Sequence, residues 1–336
     1  MKNIHDALPL LEKHKMFVFV KKKNLLNKTN SQLIGWRNDG IGSRLCTYVN
    51  IVRLSKKLKK NFTFYWDLRD DESSPSYPQN ITTKIDYYLP NLKNIKFYNS
   101  KNEKITKNSI IEWKIIILDG EDKKKVLKEW CKIVNSLFVN CNIEKKNIFK
   151  KYNYGLHVRL GDLDAFTSKK YSKKNYFSYR ENFSLGKWYP EIFWQDIAKK
   201  INKKILISSS DYKIAKKIFK KISYISYMNS FISRKNDETY SFLFDIISIA
   251  QAKNIVCSMS SGTGLILSFL TPNNVFTPEK FLKNENIFFE FYQIYYTIFL
   301  KHNTVNSLLQ HNLQYFFSRI LILKNSINEY FKWVKK

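Results

Sequence analysis

The chain has 336 residues, with 58 Lys or Arg against 28 Asp or Glu, so its formal net charge is +30. A hydrophobic fraction of 44%, with 25 Phe, 21 Tyr and 7 Trp, is enough to form sizeable cores and excludes disorder for most of the chain. The few Gly (9) and Pro (7) exclude collagen-like and low-complexity classes, and the length is typical of two domains.

The excess positive charge comes almost entirely from lysine. Only eight of the basic residues are Arg, and the other 50 are Lys. The guanidinium group of Arg forms bidentate hydrogen bonds with phosphates and bases, which the ammonium group of Lys does not. A composition poor in Arg is therefore weak evidence for nucleic-acid recognition. It favours either a solvated, soluble surface or attraction to an anionic surface such as a membrane.

The cysteines and the N-terminal residues indicate the cellular compartment. The chain contains four cysteines, Cys46, Cys131, Cys141 and Cys257. They show neither CxxC spacing nor a Cys/His cluster at zinc spacing, which favours reduced thiols in the cytoplasm. The apolar run at 16–20 is too short for a signal peptide, and no run approaches the roughly 20 residues of a transmembrane helix. We therefore expect a cytoplasmic protein.

The first half of the chain shows a strand, a glycine turn, a helix and a second strand. The first strand is predicted at 34–37, and a turn at 38–42 (Asn-Asp-Gly-Ile-Gly) follows it. Ser43 is placed to cap a helix whose apolar residues recur at helical spacing at Leu45, Tyr48, Val49 and Val52. The aromatic segment at 61–66 is the second predicted strand. The glycines therefore lie at the first turn of a β-loop-α-β unit.

Strands and helices alternate along the rest of the chain. A buried strand is predicted at 113–118 and a helix at 122–140, and a Lys-rich stretch at 145–151 separates them from a more regular half. There the predicted strands are 152–160, 204–208, 223–228 and 254–258, and the predicted helices are 188–201, 212–221, 238–252 and a short apolar helix ending at Leu270. This alternation predicts an α/β protein with a parallel sheet covered on both faces.

Three loops at strand ends carry polar groups that suit an anion. They are residues 38–44, residues 157–162 (His-Val-Arg-Leu-Gly-Asp) and residues 260–263 (Ser-Ser-Gly-Thr). Open α/β sheets bind ligands beyond the carboxyl ends of their strands, where helix starts offer N–H groups and a positive dipole end. Together the loops describe a diphosphate pocket with Arg159 as a charge-assisted fork. Taken singly, each also fits a structural role: a tight turn, a core histidine beside an Arg159–Asp162 ion pair, or a capped helix start.

These motifs and their order resemble the GDP-fucose-dependent fucosyltransferases of GT-B fold. Residues 40–45 (Gly-Ile-Gly-Ser-Arg-Leu) are similar to the family's G-x-G-x-(Arg/Gln)-Leu element, residues 157–162 to its H-x-R-x-G-D motif, and Ser209-Ser210-Asp211 to its second motif. Asp245 precedes Ser261 by 16 residues, a spacing similar to that of the third motif. The resemblance covers roughly residues 34–270. Leu160 stands where many members have a second Arg, which fits more divergent members.

The resemblance implies two Rossmann-like domains that face a cleft. The N-terminal, acceptor-side domain would span 1–150 and the nucleotide-sugar-binding domain 151–283, with a C-terminal helical extension at 284–336. Arg159 would hold the β-phosphate and neutralise the leaving GDP, His157 would touch the nucleotide, and Asp245 would accept from guanine N–H groups. The other implied donor-binding residues are Gly40, Gly42, Ser43, Asp211, Ser260, Ser261, Gly262 and Thr263. The donor would be GDP-fucose or a related GDP-sugar. The identity of the sugar stays open, because contacts with phosphate and guanine do not recognise the hexose.

Negative charge on a leaving diphosphate is stabilised either by a divalent metal or by fixed cations and dipoles. We expect Arg159 and a helix N-terminus to do this with no metal or other cofactor, although residues 162–164 (Asp-Leu-Asp) spell the D-x-D metal motif of another glycosyltransferase fold. Transfer would invert the anomeric centre, with a carboxylate taking the acceptor's proton. The candidates for this base are Asp39 first and Asp162 second, followed by Asp67, Asp70 and Asp71.

The C-terminal segment is rich in aromatic residues and lysines. The aromatic residues at 288–299 either pack back on the domains or belong to a basic amphipathic helix that holds the protein on the inner membrane. The sequence thus predicts a glycosyltransferase that acts on a glycan or lipid-linked glycan in surface-polysaccharide biosynthesis, without a specific nucleic-acid partner. The alternatives are a transferase that uses another nucleotide sugar and a non-catalytic polyanion- or glycan-binding protein.

Overall fold

The computed structural model describes residues 3–28, 32–37, 40–67, 84–98, 109–144, 147–158, 191–209, 212–232, 237–259, 261–271 and 274–281. The strands are β1 (Phe17–Val20), β2 (Gln32–Arg37), β3 (Asn61–Asp67), β4 (Ile95–Tyr98), β5 (Ile115–Leu118), β6 (Tyr154–Val158), β7 (Ile205–Ser209), β8 (Ile225–Tyr227), β9 (Asn254–Val256) and β10 (Asn274–Phe276). The α-helices are α1 (Asn3–Lys13), α2 (Lys22–Lys28), α3 (Ile41–Leu58), α4 (Ile85–Tyr88), α5 (Lys123–Val139), α6 (Glu191–Ile201), α7 (Tyr212–Ile218), α8 (Glu238–Ile249) and α9 (Gly262–Leu270).

The second half of the chain forms a five-stranded sheet of parallel strands in the order β10-β9-β6-β7-β8. The chain moves outward from β6 through β7 to β8, and then crosses by way of α8 to β9 on the other side of β6. The strand order therefore reverses between β6 and β9. The carboxyl ends of these two strands border the crevice in which open α/β sheets bind ligands.

The first half contains a parallel sheet of order β2-β3-β4 and a parallel pair, β1 with β5. Helix α3 holds these two units together through the buried side chain of Asn50. Its amide nitrogen donates to the carbonyl oxygens of Glu112 at 2.8 Å and Lys114 at 2.7 Å, and its Oδ1 accepts from the N–H of Ile116 at 3.2 Å. One side chain thus satisfies the irregular backbone that leads into β5.

The two halves share a continuous set of buried apolar residues. Helix α9 packs against both α3 and α5. The rings of Trp130 on α5 and Phe269 on α9 lie 5.5 Å apart, and the Asn135 amide donates to the Phe269 carbonyl oxygen at 3.0 Å. Elsewhere, the hydroxyl of Tyr88 in the first half donates to Oδ2 of Asp237, the residue that caps α8, at 2.7 Å.

The structure confirms the predicted α/β class with parallel sheets. It corrects the predicted cap of α3, because Gly40 occupies the N-cap position and Ser43 lies inside the first turn. Residues 17–20 of the apolar run form strand β1, which the sequence reasoning did not assign. The domain limits of 1–150 and 151–283 stay a prediction, and the segment 284–336 lies outside the described residues. Within the described ranges, no helix combines the length and the apolar character that a membrane crossing needs.

Candidate functional site

The first turns of α3 and α9 meet at two glycines. A methyl group at Gly42 would lie 2.4 Å from the backbone nitrogen of Thr263, and one at Gly262 would lie 2.3 Å from that of Ser43. The Cys46 thiol donates to the Gly262 carbonyl oxygen at 3.4 Å. Neither glycine can carry a side chain at this approach. Two of the three predicted loops therefore come together, and the positive dipole ends of two helices lie side by side.

The start of α9 is built by Ser261, which is almost fully buried. Its Oγ accepts from the N–H of Gly264 at 3.0 Å and donates to the Ser258 carbonyl oxygen at 3.0 Å. A methyl group at Gly264 would lie only 1.9 Å from that same carbonyl oxygen. The Ser261 hydroxyl is thus engaged inside the loop as a helix cap. What the loop can offer a ligand is the backbone N–H of the first turn and the half-buried side chain of Thr263.

A second group of polar residues lies at the carboxyl ends of β6 and β7. This polar cluster consists of His157, Ser208, Tyr212 and Asp245. Oγ of Ser208 donates to Oδ2 of Asp245 at 3.0 Å, and the Tyr212 hydroxyl donates to the same oxygen. Nδ1 of His157 lies 3.4 Å from Oγ of Ser208. With its proton directed to Asp245, Ser208 is an acceptor for an N–H at Nδ1 of His157.

Gly155 explains how Asp245 reaches the sheet. A methyl group at Gly155 would lie 2.4 Å from Cγ1 of Ile249, so α8 packs directly on the backbone of β6. Gly155 and His157 point to the same face of the sheet because they are two residues apart on a strand. Asp245 lies one helical turn before Ile249 and therefore on the same side of α8. The close packing at Gly155 thus brings Asp245 beside His157 and its strand partner Ser208.

The carboxyl group of Asp245 has an unusual environment. Burial raises its pKa from the usual 3.8 to about 7, although the hydrogen bonds from Tyr212 and Ser208 act in the opposite direction. Oδ1 is buried and has no hydrogen-bond partner within the described part of the chain. A buried polar atom in this state costs about 1–3 kcal/mol. The site therefore holds a hydrogen-bonding atom that a bound ligand could satisfy.

Arg44, next to the glycine contact, is also buried. Its guanidinium carbon lies 5.5 Å from the centre of the Trp66 ring. This stacking holds the first turn of α3 against the end of β3. The placement fits a positioning role for the Arg of the glycine motif.

The described residues bring together part of the predicted site. Gly42, Ser43, Gly262 and Thr263 meet at the helix contact, with Gly40 as the cap of α3, and His157 and Asp245 meet in the polar cluster. The predicted residues Arg159, Asp39, Asp162, Asp211, Ser260, Asp70 and Asp71 lie outside the described residues, and Asp67 ends β3. The D-x-D sequence at 162–164 lies outside them too. Among the residues that are described, no three His, Cys, Asp or Glu side chains form a group that could hold a metal ion.

Sequence reasoning missed Ser208 and Tyr212. They directly flank the predicted segment 209–211, so the sequence alone showed that they lie next to a motif. Their contact with Asp245 was not, because it depends on the pairing of His157 with Ser208 and on the packing of α8. Neither relationship is local in the sequence.

The fold and site define an open α/β protein with a buried polar cluster at the carboxyl ends of β6 and β7, next to the reversal of its strand order. No protein-family model and no curated protein sequence matches the chain. Structural comparison finds the fucosyltransferase NodZ from Bradyrhizobium (9% identity, 73% of this chain and 94% of that chain, TM-score 0.36). It also finds the E. coli heptosyltransferase WaaC with ADP-2-deoxy-2-fluoro heptose (9% identity, 73% of this chain and 88% of that chain, TM-score 0.31). A third match is a glycosyl transferase of family 9 from Veillonella parvula (9% identity, 88% of this chain and 98% of that chain, TM-score 0.31). At these identities and scores, none of them assigns a function to this chain.

Proposed function

We propose that the protein is a glycosyltransferase that uses a nucleotide sugar. The contact between the glycine-built starts of α3 and α9 carries this proposal. Two helix N-termini side by side repel each other through their dipoles, and an anion bound there removes that penalty. A diphosphate fits this environment, because backbone N–H groups of both first turns can donate to its oxygens.

The position of the contact in the fold supports a nucleotide rather than a simple anion. Helix α9 follows β9, which borders the strand-order reversal, and the polar cluster follows β6 on the other border. A diphosphate at the helix starts therefore leaves the nucleoside to extend towards Asp245. The buried Oδ1 of Asp245 would then accept from a donor on the base.

The finer parts of the proposal rest on the sequence motifs. A GDP-sugar, GDP-fucose or a relative of it, is the proposed donor, and Arg159 is the proposed cation at the leaving diphosphate. Transfer inverts the anomeric centre without a metal ion, and Asp39 or Asp162 takes the proton of the acceptor hydroxyl.

The acceptor is proposed to be a glycan or a lipid-linked glycan at the inner face of a membrane. Exposed lysines recur along one side of α5, at Lys124, Lys128 and Lys132, with Lys125 beside them. Such a basic face fits a peripheral contact with anionic lipid.

A thermal-shift panel of nucleotides tests the proposal. GDP at about 100 times its Kd should stabilise the folded protein by about 2.7 kcal/mol, whereas CMP and UDP should give smaller shifts at equal concentration. Donor turnover measured with GDP-fucose should continue in EDTA. If no nucleoside diphosphate raises the melting temperature, the proposed function is wrong.

A further inference from the structure

The two oxygens of the Asp245 carboxyl group have unequal environments. Oδ2 accepts two hydrogen bonds, from Oγ of Ser208 at 3.0 Å and from the Tyr212 hydroxyl. Oδ1 is buried without a hydrogen-bond partner within the described residues. A carboxylate oxygen accepts about two hydrogen bonds, so Oδ2 is saturated, whereas the acceptor positions of Oδ1 are unused by the described residues.

Both donors to Oδ2 are held by parts of the chain other than α8. Tyr212 begins α7, close after β7, and it also hydrogen-bonds with the Ser209 backbone. Burial and the neighbouring Asp245 carboxylate raise the pKa of Tyr212, so its hydroxyl keeps the proton that it donates. Ser208 is fixed by its strand pairing with His157, which is the other titratable side chain beside this group among the described residues. The carboxyl group therefore cannot turn to exchange its two oxygens without losing both bonds.

We propose that Asp245 accepts a hydrogen bond from only one donor on the nucleobase, through Oδ1, because Tyr212 and Ser208 already occupy Oδ2. Tyr212 is thereby a positioning residue that sets base specificity. This inference rests on the proposed function, in which the base lies beside Asp245. Guanine presents two adjacent donors, the ring N1–H and the 2-amino group, whereas hypoxanthine keeps only the N1–H. A carboxylate whose two oxygens are both available would accept both donors of guanine and would bind it more tightly than hypoxanthine. A carboxylate with one available oxygen accepts only the N1–H and should bind the two bases with similar affinity.

Calorimetric titration of the full chain with GDP and with IDP, the hypoxanthine nucleotide, tests the inference. At about pH 8, above the pKa of Asp245, the wild-type affinities for the two nucleotides should agree within about threefold. Tyr212→Phe opens one acceptor position on Oδ2. Because a second hydrogen bond to a charged group is worth roughly tenfold or more, the ratio of GDP to IDP affinity should rise by about that factor.

Two further variants complete the experiment. Ser208→Ala opens the other position on Oδ2 and should raise the same ratio, so the test does not depend on one variant folding. Tyr224→Phe is the matched control, because its hydroxyl donates to the Ala198 carbonyl oxygen at 3.0 Å, away from the polar cluster. Its GDP to IDP ratio should equal that of the wild type.

The outcomes separate the inference from the proposed function. A wild-type preference for GDP over IDP of about tenfold or more overturns the inference while nucleotide binding stands. A ratio that stays the same in Tyr212→Phe and Ser208→Ala also overturns it, because a merely structural role would weaken both nucleotides equally. If the wild type binds neither nucleotide, the proposed function itself has failed.

Discussion

Gly42 and Gly262 lie so close together that a methyl group on either would collide with the backbone around the other. Each glycine belongs to the first turn of a helix, and the two helices come from opposite halves of the chain. The contact thus joins the halves at the point where the proposed diphosphate binds.

Replacing Gly42 by Ala should both destabilise the protein and remove nucleotide binding. The new methyl group would lie 2.4 Å from the backbone nitrogen of Thr263, so the helix starts must separate, at a cost of about 3 kcal/mol. Urea denaturation and nucleotide-induced thermal shift measure the two effects. Gly120→Ala is the control, because no atom lies within 4 Å of a methyl group there and only its positive φ of 78° adds strain, about 1–2 kcal/mol. Equal losses in both variants would contradict the close contact.

Asp245 should make the stability of the protein depend on pH. Its folded pKa of about 7 lies above the usual 3.8, so the folded state keeps a proton that the unfolded chain releases. The contribution of this group is therefore complete below about pH 4 and is lost as the pH rises to about 7, a change of a few kcal/mol. Asp245→Asn cannot ionise and should lack this decline. Urea unfolding of both proteins at about pH 5 and about pH 8 measures the difference, and parallel profiles would count against the buried carboxyl group.

The buried ion pair between Arg53 and Glu121 should be essential for stability. Nη1 of Arg53 lies 2.9 Å from Oε1 of Glu121, and the two side chains are only 2% and 7% exposed. Burial acts to raise the pKa of Glu121, but the hydrogen bonds from Arg53 and from the Leu118 N–H outweigh it and hold the pKa below its usual value.

Glu121→Ala leaves a buried guanidinium without its main partner and should lower the free energy of unfolding by about 3–5 kcal/mol. Glu12→Ala, which breaks the exposed pair with Lys123, should change it by less than about 1 kcal/mol. Chemical denaturation compares the two variants. A loss as small as that of Glu12→Ala would contradict an essential role for the Arg53–Glu121 pair and would indicate that Glu129 and the Ile116 carbonyl oxygen suffice for Arg53.

Arg159→Ala should lower sugar transfer by roughly 10²–10³-fold while the melting temperature stays unchanged. The reason is that a fixed cation at the leaving diphosphate acts mainly in the transition state. Steady-state kinetics with GDP-fucose, or with whichever GDP-sugar proves to be the donor, measures the effect. Near-normal turnover would remove Arg159 from the proposed mechanism.

The alternation of strands and helices was predictable because its signals are local. Strand β3 follows from its aromatic residues and helix α5 from its helical pattern, and Asp122 caps α5 as an N-cap residue does. The cap of α3 was predicted wrongly because a tertiary contact overrides the local preference for Ser. Helix α3 must start before Gly42 if that glycine is to meet Gly262.

The polar cluster could be predicted only in part, because half of it depends on pairing between distant segments. His157 and Asp245 stand out in the sequence through their motifs. The saturation of one Asp245 oxygen by Ser208 and Tyr212 requires the register of β6 with β7 and the close approach of α8 at Gly155.

The placement of α9 between α3 and α5 has a consequence for how the protein comes apart. A protease cut near 145–146 would leave Phe269 packed on Trp130, and Tyr88 bonded to Asp237, across the nick. The two fragments should therefore remain associated on a sizing column and melt in a single transition.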